Sequence, residues 1–78
     1  MASLLVFVQS ENNPNALAAQ PSERTRYWIH DNGNNTFTAG VSVLSGAVTR
    51  SIPLGEEYSS LEAAKSGAQN DWNLGTRP

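Results

Sequence analysis

Residues 37–54, Phe-Thr-Ala-Gly-Val-Ser-Val-Leu-Ser-Gly-Ala-Val-Thr-Arg-Ser-Ile-Pro-Leu, read as two strands folded back on each other about Ser45-Gly46. With those two residues as a tight loop, Leu44 faces Ala47, and Val43, Val41, Ala39 and Phe37 face Val48, Arg50, Ile52 and Leu54. The pairs Ser42/Thr49, Gly40/Ser51 and Thr38/Pro53 fall on the other side, so the hairpin has one apolar and one polar face. Pro53 has no amide hydrogen to give to a ladder and suits the end of an edge strand. Arg50 falls on the apolar side opposite Val41, where its stem packs under a covering element while its head reaches water or a carboxylate such as Glu62.

Working toward the N-terminus, Arg26–His30 reads as a strand closed by the turn signal Asp31-Asn32-Gly33-Asn34-Asn35. A tight Asn32-Gly33 turn pairs Trp28 with Phe37 and sends Trp28 to the core. A five-residue loop over 31–35 pairs Ile29 with Phe37 and Tyr27 with Ala39, turning Trp28 and His30 to the other face. The longer loop is preferred because it buries two apolar side chains. Residues 3–9 form a further strand that is apolar on both faces, so either Leu4/Val6/Val8 or Leu5/Phe7 is left over. Between these strands lies a long polar loop, residues 10–25. There Asn13 can cap one helical turn stopped by Pro21, or Ala16-Leu17-Ala18-Ala19 can fold across the open sheet face.

Toward the C-terminus, Gly55 takes the chain out of the sheet and the period changes from two to about 3.6. Ser59-Ser60-Leu61-Glu62 fits a capping box with Ser59 as N-cap. Leu61, Ala64, Ala68 and Trp72 then share one stripe, and Gly75 is the stop. The expected architecture is a single α+β domain over residues 1–78. It has an antiparallel sheet of about four strands, in the order β, long loop, β-β-β meander. One C-terminal helix packs on the Phe37/Val41/Val43 face.

Composition narrows the function classes. The 78 residues carry seven acidic and five basic side chains, a net charge of -2, with no run of either sign. The basic stripe that drives nucleic-acid affinity is therefore missing. With no cysteine there is no disulfide, no thiolate zinc site and no thiol nucleophile, and the cytoplasm is the expected location. Leu4–Val8, the longest apolar run, is far too short to span a bilayer. Ala16-Leu17-Ala18 has the form of a leader cleavage site without the basic and apolar segments a leader needs. A chain of this length buries only about 60–65% of its unfolded surface, so its stability is expected to be modest or shared with a partner.

The segment Ser60–Trp72, Ser-Leu-Glu-Ala-Ala-Lys-Ser-Gly-Ala-Gln-Asn-Asp-Trp, follows an Asn/Gly turn and a β-meander that begins near Tyr27. Together they resemble many short uncharacterised proteins encoded by phages and prophages. The resemblance implies an accessory protein that binds a host or viral protein, for example a host-defence inhibitor, acting in the host cytoplasm. It brings no catalytic residues with it.

The residues themselves offer few chemical constellations. His30 beside Asp31 is the lone imidazole-carboxylate neighbour pair, and it lacks a nucleophile or positioned electrophile to act on. Glu56, Glu57 and Glu62 gather at the helix start, where negative charge is favourable by about 0.3–1 kcal/mol without any ligand. No cofactor or metal site is expected. The better lead is the surplus apolar and aromatic set on the helix-free side of the sheet. The expected function is non-enzymatic protein binding through the helix-free sheet face or the 10–25 loop, with Leu5, Phe7, Trp28 and His30 as partner-binding residues and homodimerisation through the same sheet face. Two alternatives remain open. One is a single-stranded nucleic-acid module stacking bases on Tyr27, Trp28 and Phe37; the other is a small structural or dimerisation domain.

Overall fold

The computed structural model describes residues 4–10, 13–55 and 57–78; Ser3 of the expected first strand and Glu56 of the acidic cluster lie outside them. Five antiparallel strands follow one another across a single sheet: β1 (Val8–Gln9), β2 (Ala16–Ala19), β3 (Thr25–Asp31), β4 (Phe37–Ser45) and β5 (Val48–Pro53). The helix α1 (Leu61–Asn73) packs on one face, chiefly over β4 with a smaller contact on β3. The fold is α+β, with five strands where about four were expected. The additional strand is β2, inside the segment read as a long loop.

Alanines are weak strand formers, so Ala16–Ala19 carries little local signal; its neighbours decide its state. Asn13 opens a tight turn through Pro14, its side chain accepting from Asn15 N–H and its carbonyl from Ala16 N–H, each at 3.0 Å. That turn returns the chain against β1, with Ser10 N–H donating to Ala16 at 2.9 Å. Leu17 then pairs with Ile29 and Ala19 with Tyr27. The segment neither forms a helical turn nor crosses the open face: it widens the sheet.

Both hairpins keep the expected sidedness and shift their register by two residues. In the β4–β5 hairpin Val41 pairs with Ile52, Val43 with Arg50 and Ser42 with Ser51, so the loop is Gly46-Ala47 rather than Ser45-Gly46. The turn chemistry explains this. Hairpin turns with glycine first need a positive φ at that residue alone; Gly46 sits at φ 64° and Ala47 is not left-handed. A Ser45-Gly46 loop would have asked serine for that conformation. Arg50 consequently faces Val43 rather than Val41, is exposed, and makes no ion pair among the described residues.

In the β3–β4 hairpin Ile29 pairs with Ala39, Tyr27 with Val41 and Trp28 with Gly40. The loop is 32–36 rather than 31–35, because Asp31 stays in the strand and uses its carboxylate to accept Gly33 N–H at 2.9 Å. Asn32 N–H closes the loop on the Thr36 carbonyl at 3.0 Å. Shifts of two leave every side chain on its face, which is why Trp28 and His30 point away from the helix as expected.

The core is the space between α1 and the sheet. Tyr27, Val41, Ala64 and Ala68 have no exposed surface, and Ile29 and Ala39 have 1% each. Fully buried alanines at 64 and 68 bring the helix backbone close to the small Ala39 and Ala19, and Leu61 and Trp72 close the two ends of the stripe. Phe7 touches both halves of this core. The helix begins one residue later than expected. Ser60 is the N-cap, accepting Ala63 N–H at 3.1 Å, so Glu62 stands in the first turn without closing a capping box. Its end is as expected, with Gly75 at φ 73° and its N–H on the Trp72 carbonyl. Between sheet and helix, Tyr58 exchanges both backbone hydrogen bonds with Phe37, at 2.7 and 2.8 Å, and its hydroxyl donates to the Leu54 carbonyl.

Candidate interaction surface

The helix-free face of the sheet is built in transverse rows that the register dictates. The central row runs Val8, Ala18, Trp28, Gly40, Pro53. Trp28 is flanked by the two smallest side chains of the row, so its indole lies down across the strands. A Cβ built on Gly40 would overlap the six-membered ring of that indole, with Cη2 at only 2.7 Å. Glycine in a strand interior ordinarily weakens it by roughly 0.5–1 kcal/mol relative to alanine; here it makes the seat for a tryptophan. Gly40→Ala is therefore expected to destabilise the fold by about 1–3 kcal/mol, the usual cost of overpacking. In a Trp72→Phe background, the emission of Trp28 should shift to the red as the ring is lifted into water. An unchanged spectrum would refute the seat.

On one side of that row lie Arg26 and Ser42, on the other His30 and Thr38. His30 is exposed on β3, and Arg26 with it. Toward the β1 edge the surface turns apolar: Leu4, Val6 and Val8 are 79, 71 and 64% exposed. Val6, Val8, Ala18, Gln20 and Arg26 line an open hollow of about 450 Å³ together with Gln9 and Ser10. The surface thus combines a fixed indole, a cation and an aliphatic stripe.

Of the four residues expected to meet a partner, Trp28 and His30 stand on this face. Leu5 and Phe7 do not. Leu5 is 8% exposed and Phe7 half-buried, both against the helix, and Leu5 N–H donates to the Gln69 side chain at 2.7 Å. The leftover set of the first strand is Leu4/Val6/Val8. Its parity hinges on β2, which carries the register from β3 to β1, and β2 has almost no signature of its own. Greater bulk in Leu5/Phe7 than in Val6/Val8 was the one available clue. Of the three rings considered for base stacking, Tyr27 is fully buried and Phe37 lies on the helix side, which leaves Trp28.

A second polar constellation joins sheet, helix and tail. Tyr27 Oη donates to Asp71 Oδ2 at 2.5 Å, while Arg77 holds the same carboxylate through Nε at 3.0 Å and Nη2 at 3.2 Å. Burial, reinforced by the adjacent carboxylate, pushes the Tyr27 phenol well above the usual tyrosine range. Burial alone would raise Asp71, but the hydrogen bonds from Arg77 and Tyr27 outweigh it and hold the carboxyl below its ordinary value. Hydrogen bonding to Asp71 raises Arg77 further.

The signs give a window of stability. A depressed carboxylate contributes above its unfolded pKa of about 4 and loses that contribution as pH falls through its lower native value. A raised phenol works against the fold once pH exceeds about 10, where unfolded tyrosine ionises and native Tyr27 stays protonated. Denaturation midpoints should therefore fall on both the acid and alkaline sides. Asp71→Asn should flatten the acid limb relative to wild type; an identical limb would remove Asp71 from this role.

A smaller hollow of about 210 Å³ opens between the β1–β2 turn and the start of α1, lined by Leu17, Ile29, Phe37 and Leu61 with Asp31 at its margin. It is below the roughly 300–1,000 Å³ of sites that enclose small ligands. Among the described residues no three His, Asp or Glu side chains gather to hold a metal ion, and no helix is long and apolar enough to cross a membrane. No known protein family, curated protein or solved structure matches this chain.

Proposed function

We propose that this chain is a non-enzymatic protein-binding accessory protein whose partner docks on the helix-free sheet face around Trp28. The observation that supports this is the indole held flat on Gly40 beside exposed Val6 and Val8. Tryptophan, arginine and aromatic anchors carry a disproportionate share of interface energy, commonly 2 kcal/mol or more each. A pre-positioned ring also gives up little side-chain freedom on binding. Arg26 and His30 beside it supply directional polar contacts at the rim. The resemblance of the Tyr27–Trp72 region to small phage-encoded proteins makes a host or viral protein the partner class.

The test compares capture of bacterial proteins by the wild type, by Trp28→Ala and by Glu62→Gln on the opposite side of the molecule. A stoichiometric partner retained by Glu62→Gln and lost with Trp28→Ala supports the reading. A partner retained by both variants places binding elsewhere. Salt-sensitive binding of single-stranded oligonucleotides by the wild type, read by fluorescence anisotropy, would instead assign Trp28 and Arg26 to nucleic acid.

A further inference from the structure

The two edges of the sheet are not equivalent. At β5, Leu54 N–H donates to Ala39, so even-numbered residues of β5 face β4 and the odd-numbered Thr49, Ser51 and Pro53 turn their backbone groups outward. Pro53 stands at an outward position, where its missing N–H costs no ladder bond and removes a donor from the edge. Arg50 adds a charge to the same strand.

At β1 neither the proline nor the charge is present. Ser10 N–H donates to Ala16, so Ser10 and Val8 face β2, and Gln9 and Phe7 turn their N–H and C=O groups away from the sheet. No described residue takes those four groups. Leu5 N–H, the next outward donor, is already satisfied by Gln69. From Leu4 to Ser10 the edge has no charge and no proline.

We infer that β1 pairs with β1 of a second copy of this chain, in antiparallel register about a two-fold axis at Val8. In that register Phe7 exchanges two hydrogen bonds with Gln9 of the other copy, and Gln9 two with its Phe7. All four outward groups of Phe7 and Gln9 are used, and the Leu5–Gln69 bond is left intact. Val8 meets its own symmetry mate at a non-hydrogen-bonded position, where side chains approach most closely. The self-complementarity of these groups, with no like charge to repel, selects a second copy over an unrelated strand. The pairing takes its hydrogen bonds from the edge backbone, although the Val8 side chain at its axis also ends the Trp28 row; Trp28→Ala, which leaves the edge untouched, separates it from the function proposed above.

Light scattering behind size exclusion, over a concentration series to about 100 µM, is the direct measurement. The expected result is a species of twice the 8.4 kDa chain mass. Gln9→Pro removes an outward N–H as Pro53 does on β5, and Val8→Lys places a charge at the axis. Both should give monomers with unchanged circular dichroism, while Ser51→Lys and Trp28→Ala should remain dimeric. Amide exchange adds a readout on the folded wild type: Phe7 and Gln9 should gain protection as concentration rises. A wild-type monomer throughout the series would overturn the inference. So would a dimer that survives Val8→Lys and Gln9→Pro with Phe7 and Gln9 amides unprotected, or an open-ended series of larger species.

Discussion

Replacing Tyr27 by alanine is expected to cost about 3–5 kcal/mol, the range for truncating a fully buried aromatic side chain. For a chain of 78 residues whose whole stability is on the order of 4–12 kcal/mol, that is about a quarter or more of the total. The magnitude follows from position. Tyr27 has no exposed surface, meets Trp72 edge-on with ring centroids 6.3 Å apart, and packs with Leu5, Ala19, Val41 and Ala68. Its hydroxyl also reaches Asp71, so one side chain ties the middle strand to the helix and, through Arg77, to the tail.

Tyr27→Phe separates the two contributions. It keeps the ring and removes a hydrogen bond to a charged acceptor, worth about 1.5–3 kcal/mol when the partner stays buried. Asp71 keeps Arg77, with side chains 15 and 22% exposed, so the lower end of that range is expected. Urea melts of the three proteins should shift in midpoint with a constant slope. A Tyr27→Ala midpoint no lower than that of Tyr27→Phe would mean that the ring contributes nothing beyond its hydroxyl, against the packing described.

Ala68→Leu is expected to lose about 1–3 kcal/mol, the cost of forcing a larger side chain into a filled core. Ala68 has no exposed surface and shares its cluster with Ala19, Tyr27 and Val41. Three more carbons there must push α1 off the sheet or turn Tyr27 from its rotamer. Alanine and leucine are close in helix propensity, so the loss reads packing rather than helix formation. Ser66→Leu, exposed on the same helix, is the control and should stay within about 0.5 kcal/mol of wild type. Equal effects at 66 and 68 would refute a close helix–sheet contact.

Much of the fold was legible in the sequence because sheets and helices repeat. Alternation at Phe37, Ala39, Val41 and Val43 marks the core side whatever the loop, and an error of two in pairing leaves it unchanged. The loop residues themselves depend on which position adopts a positive φ. Ser45-Gly46-Ala47 allows two hairpins, and only the requirement that glycine come first separates them. For the loop before β4 a contact remote from the turn acts with the Asp31–Gly33 hydrogen bond: Trp28 needs Gly40 opposite, and that pairing agrees with Asn32–Thr36 as the loop.

The strand β2 was hidden for a different reason. Ala16-Leu17-Ala18-Ala19 has no β-branched or aromatic residue, and its extended state comes from β1 and β3 on either side. Missing it removed the link that sets the parity of the first strand, which is why Leu5 and Phe7 were expected on the open face and lie in the core. The surface itself was half legible. Arg26, Trp28 and His30 follow from alternation within β3, whereas Val6 and Val8 join them only once β2 is in place.

Pro53 bears on how far the sheet can grow. A sheet with two open edges adds copies at both ends and has no natural last member, the route to fibres. Under the pairing inferred above, Pro53 takes one outward donor from β5 and so weakens head-to-tail joining of β1 to β5, whereas a β1–β1 joint spends the open edge of both molecules at once. One cyclic residue at the far end of the sheet would thereby tilt a chain that pairs through β1 toward a closed pair and away from open-ended growth.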